Sequence, residues 1–127
     1  MTRTFLIADD SAGKMTMLKS VLHAAKWEGE IFTATTTEEA IALIDSHPID
    51  CAFIDYYIPS TNGPAVIKHL RSAQPNAKIA LVSSADNTEN AQEARDAGVN
   101  TVICVSNPGS EELLKELLLE WKTEMIA

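Results

Sequence analysis

Short apolar runs alternate along the chain with stretches of helical period. Thr4–Ala8 is a continuous apolar run and reads as a buried strand. Leu18, Val21, Leu22 and Ala25 follow at spacings of three and four, which predicts an amphipathic helix that ends at Trp27-Glu28-Gly29. Ile31, Phe32 and Ala34 mark a second strand. Thr36 and Glu39 have the spacing of a capping box for a helix that carries Ala40, Ile41 and Ile44 and stops before Pro48. Ile49–Asp55 is the third and central strand. Gly63-Pro64 opens the next helix, with Pro64 at its favoured first position, Ile67 and Leu70 inward, and Gln74-Pro75-Asn76 as the turn beyond it. Ile79–Val82 is wholly apolar and so predicts a strand covered on both faces. Asp86 or Asn87 caps a helix over about Thr88–Ala97, which Gly98 stops. Its inner face is alanine (Ala91, Ala94, Ala97), so it should be held more loosely than the others. Thr101–Val105 is a fifth strand. After Pro108-Gly109, Ser110 caps a last helix whose buried face is Leu114, Leu117, Leu118 and Trp121.

Five strands alternating with five helices through short connections mean a parallel sheet with helices on both faces. Handedness rules leave few ways to wind it. The expected fold is α/β: a flavodoxin-like (βα)5 three-layer sandwich with strand order 2-1-3-4-5. Its ligand crevice opens between the carboxyl ends of the first and third strands. Asp9-Asp10 ends the first of these and Asp55 the other. The fold therefore gathers three carboxylates at one place.

Composition narrows the partners. The chain of 127 residues is read as one domain, 1–127, with 46% hydrophobic and 22% charged residues. A net charge of −8 argues against a nucleic-acid surface or an anionic membrane and suits a cationic ligand, a metal ion included. Cys51 and Cys104 are too few for a disulfide framework or a zinc site, and both are expected as core thiols. Nothing at Met1-Thr2-Arg3 resembles a signal peptide, and no apolar run reaches the ~20 residues of a membrane span, so a cytoplasmic location is expected.

Carboxylates crowded together repel, and a hard divalent cation with oxygen preference relieves the repulsion. Asp55 is then placed to attack a phosphoryl group, since aspartate forms acyl phosphates. Ser83 or Ser84, at the end of strand four, can donate to a phosphoryl oxygen. A rival motif fails. Ala8 to Lys14 has part of the P-loop spacing, but Met15 stands where the metal-binding hydroxyl belongs, and Asp9 and Asp10 would repel phosphates. Singly, Asp55 reads as a turn former and Asp9-Asp10 with Ser11 as a helix cap. It is their convergence on one crevice that points to a site.

The chain resembles a response-regulator receiver domain of the CheY-like family. The motifs that carry the resemblance are Asp9-Asp10, then Asp55-Tyr56-Tyr57-Ile58-Pro59-Ser60-Thr61-Asn62-Gly63, then Leu81-Val82-Ser83-Ser84-Ala85. The resemblance implies that Asp55 accepts a phosphoryl group from a histidine kinase or phosphotransfer protein. It implies Mg2+ held by Asp9, Asp10, Asp55 and the backbone carbonyl of Tyr57. It implies that Ser84 is the switch hydroxyl and Ala85 the small residue that admits the phosphoryl group. The output would be a downstream partner or a homodimer, met through helix four, strand five and helix five.

Two family features are missing. The family carries a lysine followed by proline at the end of strand five, and an aromatic residue within it. Ungapped, Val105 stands at the lysine's place and Val102 at the aromatic's; a two-residue insertion would instead bring Asn107-Pro108 there. The expected reading is a phosphorylatable receiver with altered switching, acting as a two-component signalling module and not as a free-standing enzyme. The alternative is a pseudo-receiver, a phosphorylation-independent interaction module. A phosphatase on the same fold lacks a second acid–base residue beside Asp55. Lys14, one turn after Asp10, could replace the missing lysine, but its ordinary expectation is to project to solvent. Tyr57, two residues after Asp55, could shield an acyl phosphate from water. His23, His47 and His69 read as surface or helix-end residues, and Leu119 and Trp121 cannot both face inward.

Overall fold

The computed structural model describes Arg3–Ile126; Met1, Thr2 and Ala127, and with them most of the amino-terminal segment read for a signal peptide, lie outside the described residues. Ten elements alternate without exception: β1 (Arg3–Ala8), α1 (Ala12–Ala24), β2 (Gly29–Ala34), α2 (Thr37–Ser46), β3 (Cys51–Ile54), α3 (Gly63–Ala73), β4 (Lys78–Ser83), α4 (Thr88–Ala97), β5 (Thr101–Cys104) and α5 (Ser110–Ile126). The strands form one parallel sheet in the order β2-β1-β3-β4-β5. The expected order is the observed one.

The sheet separates two apolar layers. One packs Leu6, Ile54, Ile79 and Leu81 against Ile44, Val66, Ile67 and Leu70, on the side of α2, α3 and α4. The other packs Phe5, Ile7, Phe53 and Val82 against Leu18, Leu22, Leu114, Leu118 and Trp121, on the side of α1 and α5. Every residue of β3 is buried, as a central parallel strand requires. Phe5 is the hub of the second layer, with its ring centroid 4.6 Å from that of Phe53 and 5.1 Å from that of Trp27, both edge-on.

The capping expectations divide. Ser11, Thr36 and Asn87 accept from the amides of Lys14, Glu39 and Asn90, and Asn62 caps α3 in front of Pro64. Gly98 closes α4 at φ +110°, a left-handed position that suits glycine. Ser110 corrects the reading: it is the first residue of α5, not the cap before it, and its hydroxyl donates to the Val105 carbonyl at 3.0 Å. Ala94 is the one buried residue of α4. In α5, Trp121 faces inward and Leu119 is exposed. Cys51 is a core thiol, pushed up to about 12 chiefly by burial, but Cys104 is only half-buried and lies 3.0 Å from the Ser106 hydroxyl. β3 is shorter than the expected Ile49–Asp55: Ile49 gives its N–H to the Gln74 side chain at 2.6 Å, while Asp50 and Asp55 still bond to Thr4 and Ala8 of β1. Among the described residues no helix is long and apolar enough to cross a membrane.

Candidate functional site

The ladder continues one residue past the central strand ends. Asp9 donates its backbone N–H to Ala34 and Asp55 donates its own to Ala8, each at 2.9 Å. Both carboxylates therefore leave the sheet from its carboxyl edge on adjacent strands. Ligand oxygens of Asp9, Asp10 and Asp55 lie within 4.8 Å of one another. Asp9 and Asp55 are buried, while Asp10 stands at the solvent rim. Burial raises the Asp9 carboxyl above its ordinary value, against the lowering effect of the Ser11 N–H at 2.8 Å and of Lys14.

The cation at this site is Lys14. It is 8% exposed. Its Nζ lies 2.9 Å from Asp55 Oδ1, 3.0 Å from Asp9 Oδ2 and 3.1 Å from the Val82 carbonyl oxygen. The solvent-facing expectation for this residue is overturned. The reason is helical register: Lys14, Leu18, Val21 and Leu22 form the buried stripe of α1, so the lysine stem runs inward with the leucines. The signal was present in the spacing, since Lys14 lies four residues before Leu18.

The loop after Asp55 is pinned at several points. Tyr56 N–H donates to Asp55 Oδ1 at 2.9 Å, which holds the carboxylate's rotamer. The Tyr56 carbonyl accepts from Ile58 at 3.2 Å and from Gly63 at 2.7 Å, folding the loop back on itself. The Pro59 carbonyl accepts from both the backbone and the hydroxyl of Thr37, each at 3.0 Å, tying the loop to the start of α2. Tyr57, whose carbonyl is one of the expected metal ligands, sits inside this pinned segment. Its side chain is 59% exposed, and its phenol oxygen accepts from Asn90 Nδ2 at 3.0 Å. Tyr56 donates its phenol proton to Glu93 Oε2 at 2.7 Å, and that bond raises the phenol's pKa. Two adjacent tyrosines thus link the loop beside Asp55 to α4, a connection the sequence did not reveal.

Ser83 and Ser84 differ. Ser83 is buried, and its hydroxyl is engaged with both the carbonyl and the N–H of Ala85, at 3.1 and 3.2 Å. Ser84 and Ala85 are exposed. Asn107 is exposed in the turn before α5, where its N–H meets the Cys104 carbonyl at 3.2 Å. Val105 is half-buried and donates its N–H to the Ser83 carbonyl at 2.8 Å, so it stands beside the end of β4. Val102 packs, half-buried, on the first apolar layer. His23 and His47 are exposed, and His69 lies half-buried with Nε2 2.8 Å from Asp45 Oδ1, away from the acidic cluster.

The donor set fits a hard cation. All three ligating groups are carboxylates, and Asp9 Oδ2 is a buried oxygen that accepts no aligned hydrogen bond despite the nearby ammonium. Residues 5–118 match the family model of the response regulator receiver domain. The chain belongs to this family. It is 33% identical over 105 residues to the chemotaxis protein CheY of Thermotoga maritima, across 81% of this chain and 85% of that one. It is 30% identical over 89 residues to the transcriptional regulatory protein CitT of Bacillus subtilis, across 70% of this chain but only 38% of that longer relative. Among solved structures, a two-component response regulator from Clostridium difficile superposes with a TM-score of 0.85 at 21% identity, covering 99% of this chain and 100% of the other. Receiver domains are signalling modules of two-component systems, which work with histidine kinases or phosphotransfer proteins and with downstream effectors, and they bind Mg2+ at an acidic cluster. Neither Val105 nor Asn107, the ungapped and gapped counterparts of the family's lysine, is a cation, and Val102, the ungapped counterpart of its aromatic residue, is not aromatic.

Proposed function

We propose that this receiver is switched by phosphorylation on Asp55. The observation that carries the reading is the convergence of Asp9, Asp10 and Asp55 at one sheet edge, with Asp55 held by the Tyr56 N–H. Asp9, Asp10, Asp55 and the Tyr57 carbonyl would hold Mg2+, which when bound offsets negative charge on the incoming group. Asp55 attacks phosphorus through a carboxylate oxygen. The new O–P bond forms as the donor's P–N or P–O bond breaks, its electron pair leaving with the imidazole or carboxylate. Hydrolysis reverses the loading: water attacks phosphorus, the acyl-phosphate bond breaks, and inorganic phosphate and a proton depart. The module catalyses no turnover beyond this self-reaction. The donor is a histidine kinase or phosphotransfer protein, in the cytoplasm.

A hydroxyl at the end of β4 donates to the phosphoryl group. Ser84, the one implied by the resemblance, is exposed, as is the small Ala85 that follows it. Ser83 is tied to the Ala85 backbone, so a phosphoryl oxygen that drew its hydroxyl in would release the loop leading to α4. That helix is the natural responder, because a single buried alanine anchors it and the Tyr56–Glu93 and Tyr57–Asn90 bonds join it to the acceptor loop. The responding surface of α4, β5 and α5 meets the downstream partner or a second copy.

The reading is tested by incubating the protein with acetyl phosphate and Mg2+ and recording intact mass. A single phosphoryl adduct is expected, absent in Asp55→Asn and absent in EDTA. No adduct on the unsubstituted protein overturns the reading in favour of a phosphorylation-independent module. The exposed Tyr57 ring bridges from the acceptor loop to α4, and we take it to screen the acyl phosphate from attacking water. Tyr57→Asn is therefore expected to shorten the adduct's lifetime severalfold. An unchanged decay rate would show that the ring does not shield the site.

A further inference from the structure

The Lys14 ammonium donates to the Val82 carbonyl and forms ion pairs with Asp55 Oδ1 at 2.9 Å and Asp9 Oδ2 at 3.0 Å. Among the described residues it is the one cation in contact with either buried carboxylate. Val105, the residue after β5 and the ungapped counterpart of the family's lysine, donates its N–H to the Ser83 carbonyl at the end of β4, and neither it nor Asn107 is a cation. A cation absent from one wall of the crevice enters from another. We propose that Lys14 is the phosphoryl-binding cation of this receiver, delivered from α1 instead of strand five. The inference rests on Asp55 being the phosphoacceptor.

Asp55 carries one negative charge before transfer, and the acyl phosphate carries about two. A desolvated anion of that charge needs a charge-assisted donor. Lys14 is already at hydrogen-bond distance from the reacting carboxylate and needs to move only the end of a flexible stem. Its N–H and that of Tyr56 both meet Oδ1, so Oδ2 is the oxygen that attacks. The Oδ2 electron pair forms the bond to phosphorus, the donor's bond to phosphorus breaks with its pair on the leaving group, and Lys14 keeps its proton throughout. The ammonium then passes from Oδ1 to a non-bridging phosphoryl oxygen, while its contacts to Asp9 and Val82 hold it in place.

The test compares the unsubstituted protein with Lys14→Met, Lys14→Arg and the double variant Lys14→Met/Val105→Lys. Each is loaded with acetyl phosphate in saturating Mg2+ and followed by intact mass, with Mg2+ affinity measured separately by calorimetry. Lys14→Met is expected to load roughly tenfold to a hundredfold more slowly, the range for losing a hydrogen bond to a charged group. Its Mg2+ affinity should be equal or tighter, since a competing cation has gone, so slow loading would not reflect lost metal. Returning a lysine from strand five should restore most of the rate, and Lys14→Arg should retain part of it. Loading and decay of Lys14→Met at the unsubstituted rates would overturn the role of Lys14 and leave the receiver reading intact. A double variant that folds, binds Mg2+ and stays as slow as Lys14→Met would also overturn it, because the lysine would then matter only for local packing. No adduct on the unsubstituted protein would overturn the reading of Asp55 as the phosphoacceptor and this inference with it.

Discussion

Replacing Gly63 by alanine is expected to destabilise the fold by about 3 kcal/mol, at the upper end of the usual overpacking range. A Cβ there would lie 2.1 Å from the Asp55 carbonyl oxygen, 2.9 Å from its carbon and 3.0 Å from the Tyr56 Cα. All three are backbone atoms of the acceptor loop, so no side chain can turn aside to relieve the contact. The glycine is needed here for close approach, not for a left-handed φ, since Gly63 is not among the positive-φ residues. Relief requires the Asp55-Tyr56 peptide to move, and that peptide carries the N–H that holds Asp55 Oδ1. Phosphoryl loading should therefore fall together with stability. Gly13→Ala is the control. It lies inside α1 with nothing within 4 Å of its added Cβ, and should gain roughly 0.5–1 kcal/mol from the better helix former. Urea unfolding of both variants, read beside the loading assay, checks the contrast. A Gly63→Ala protein as stable as the original would mean that the acceptor loop does not fold back onto the start of α3.

The parts of the site that follow from period and strand ends were legible in the sequence. Apolar runs and helical spacings determine the alternation, the alternation determines a doubly covered parallel sheet, and its order brings Asp9 next to Asp55. Lys14 was misjudged because a charge outweighed a register. The same spacing that buried Leu18, Val21 and Leu22 placed Lys14 on their stripe, and a long aliphatic stem can lie along a core as readily as along water. Ser110 was misjudged for a related reason: a serine at a helix start can bond backward to Val105 instead of forward to the helix. The two tyrosine contacts to α4 had no local signal at all. They depend on how the acceptor loop meets a helix more than thirty residues away in sequence, through the Tyr56–Glu93 and Tyr57–Asn90 pairs. Such contacts come from tertiary approach and leave no periodic mark.

The charge balance of the crevice leads to the second large effect, on stability instead of transfer. Lys14→Met removes the one cation that, among the described residues, contacts the two buried carboxylates, and leaves both without that ion-pair partner. Breaking a buried pair from one side costs about 3–5 kcal/mol when the remaining charge cannot reach water. The solvent-open rim at Asp10 relieves part of this, so the lower end, about 3 kcal/mol, is expected in EDTA. Mg2+ should then act as a substitute for the ammonium. Bound by the folded crevice and not by the unfolded chain, it should stabilise in proportion to the logarithm of its concentration over its Kd. The variant's Kd should be lower, because Lys14 no longer competes for Asp9 Oδ2 and Asp55 Oδ1, and the variant should gain more from the metal than the original does. Unfolding midpoints in EDTA and across a Mg2+ series measure both effects. A variant within about 0.5 kcal/mol of the original in EDTA, with the same gain from Mg2+, would contradict the buried ion pairs, because a lysine in water contributes no more than that. A large loss in EDTA that Mg2+ restores would mean that a tethered ammonium and a divalent ion serve the same carboxylates, the first to hold the empty crevice folded and the second to ready it for a phosphoryl group.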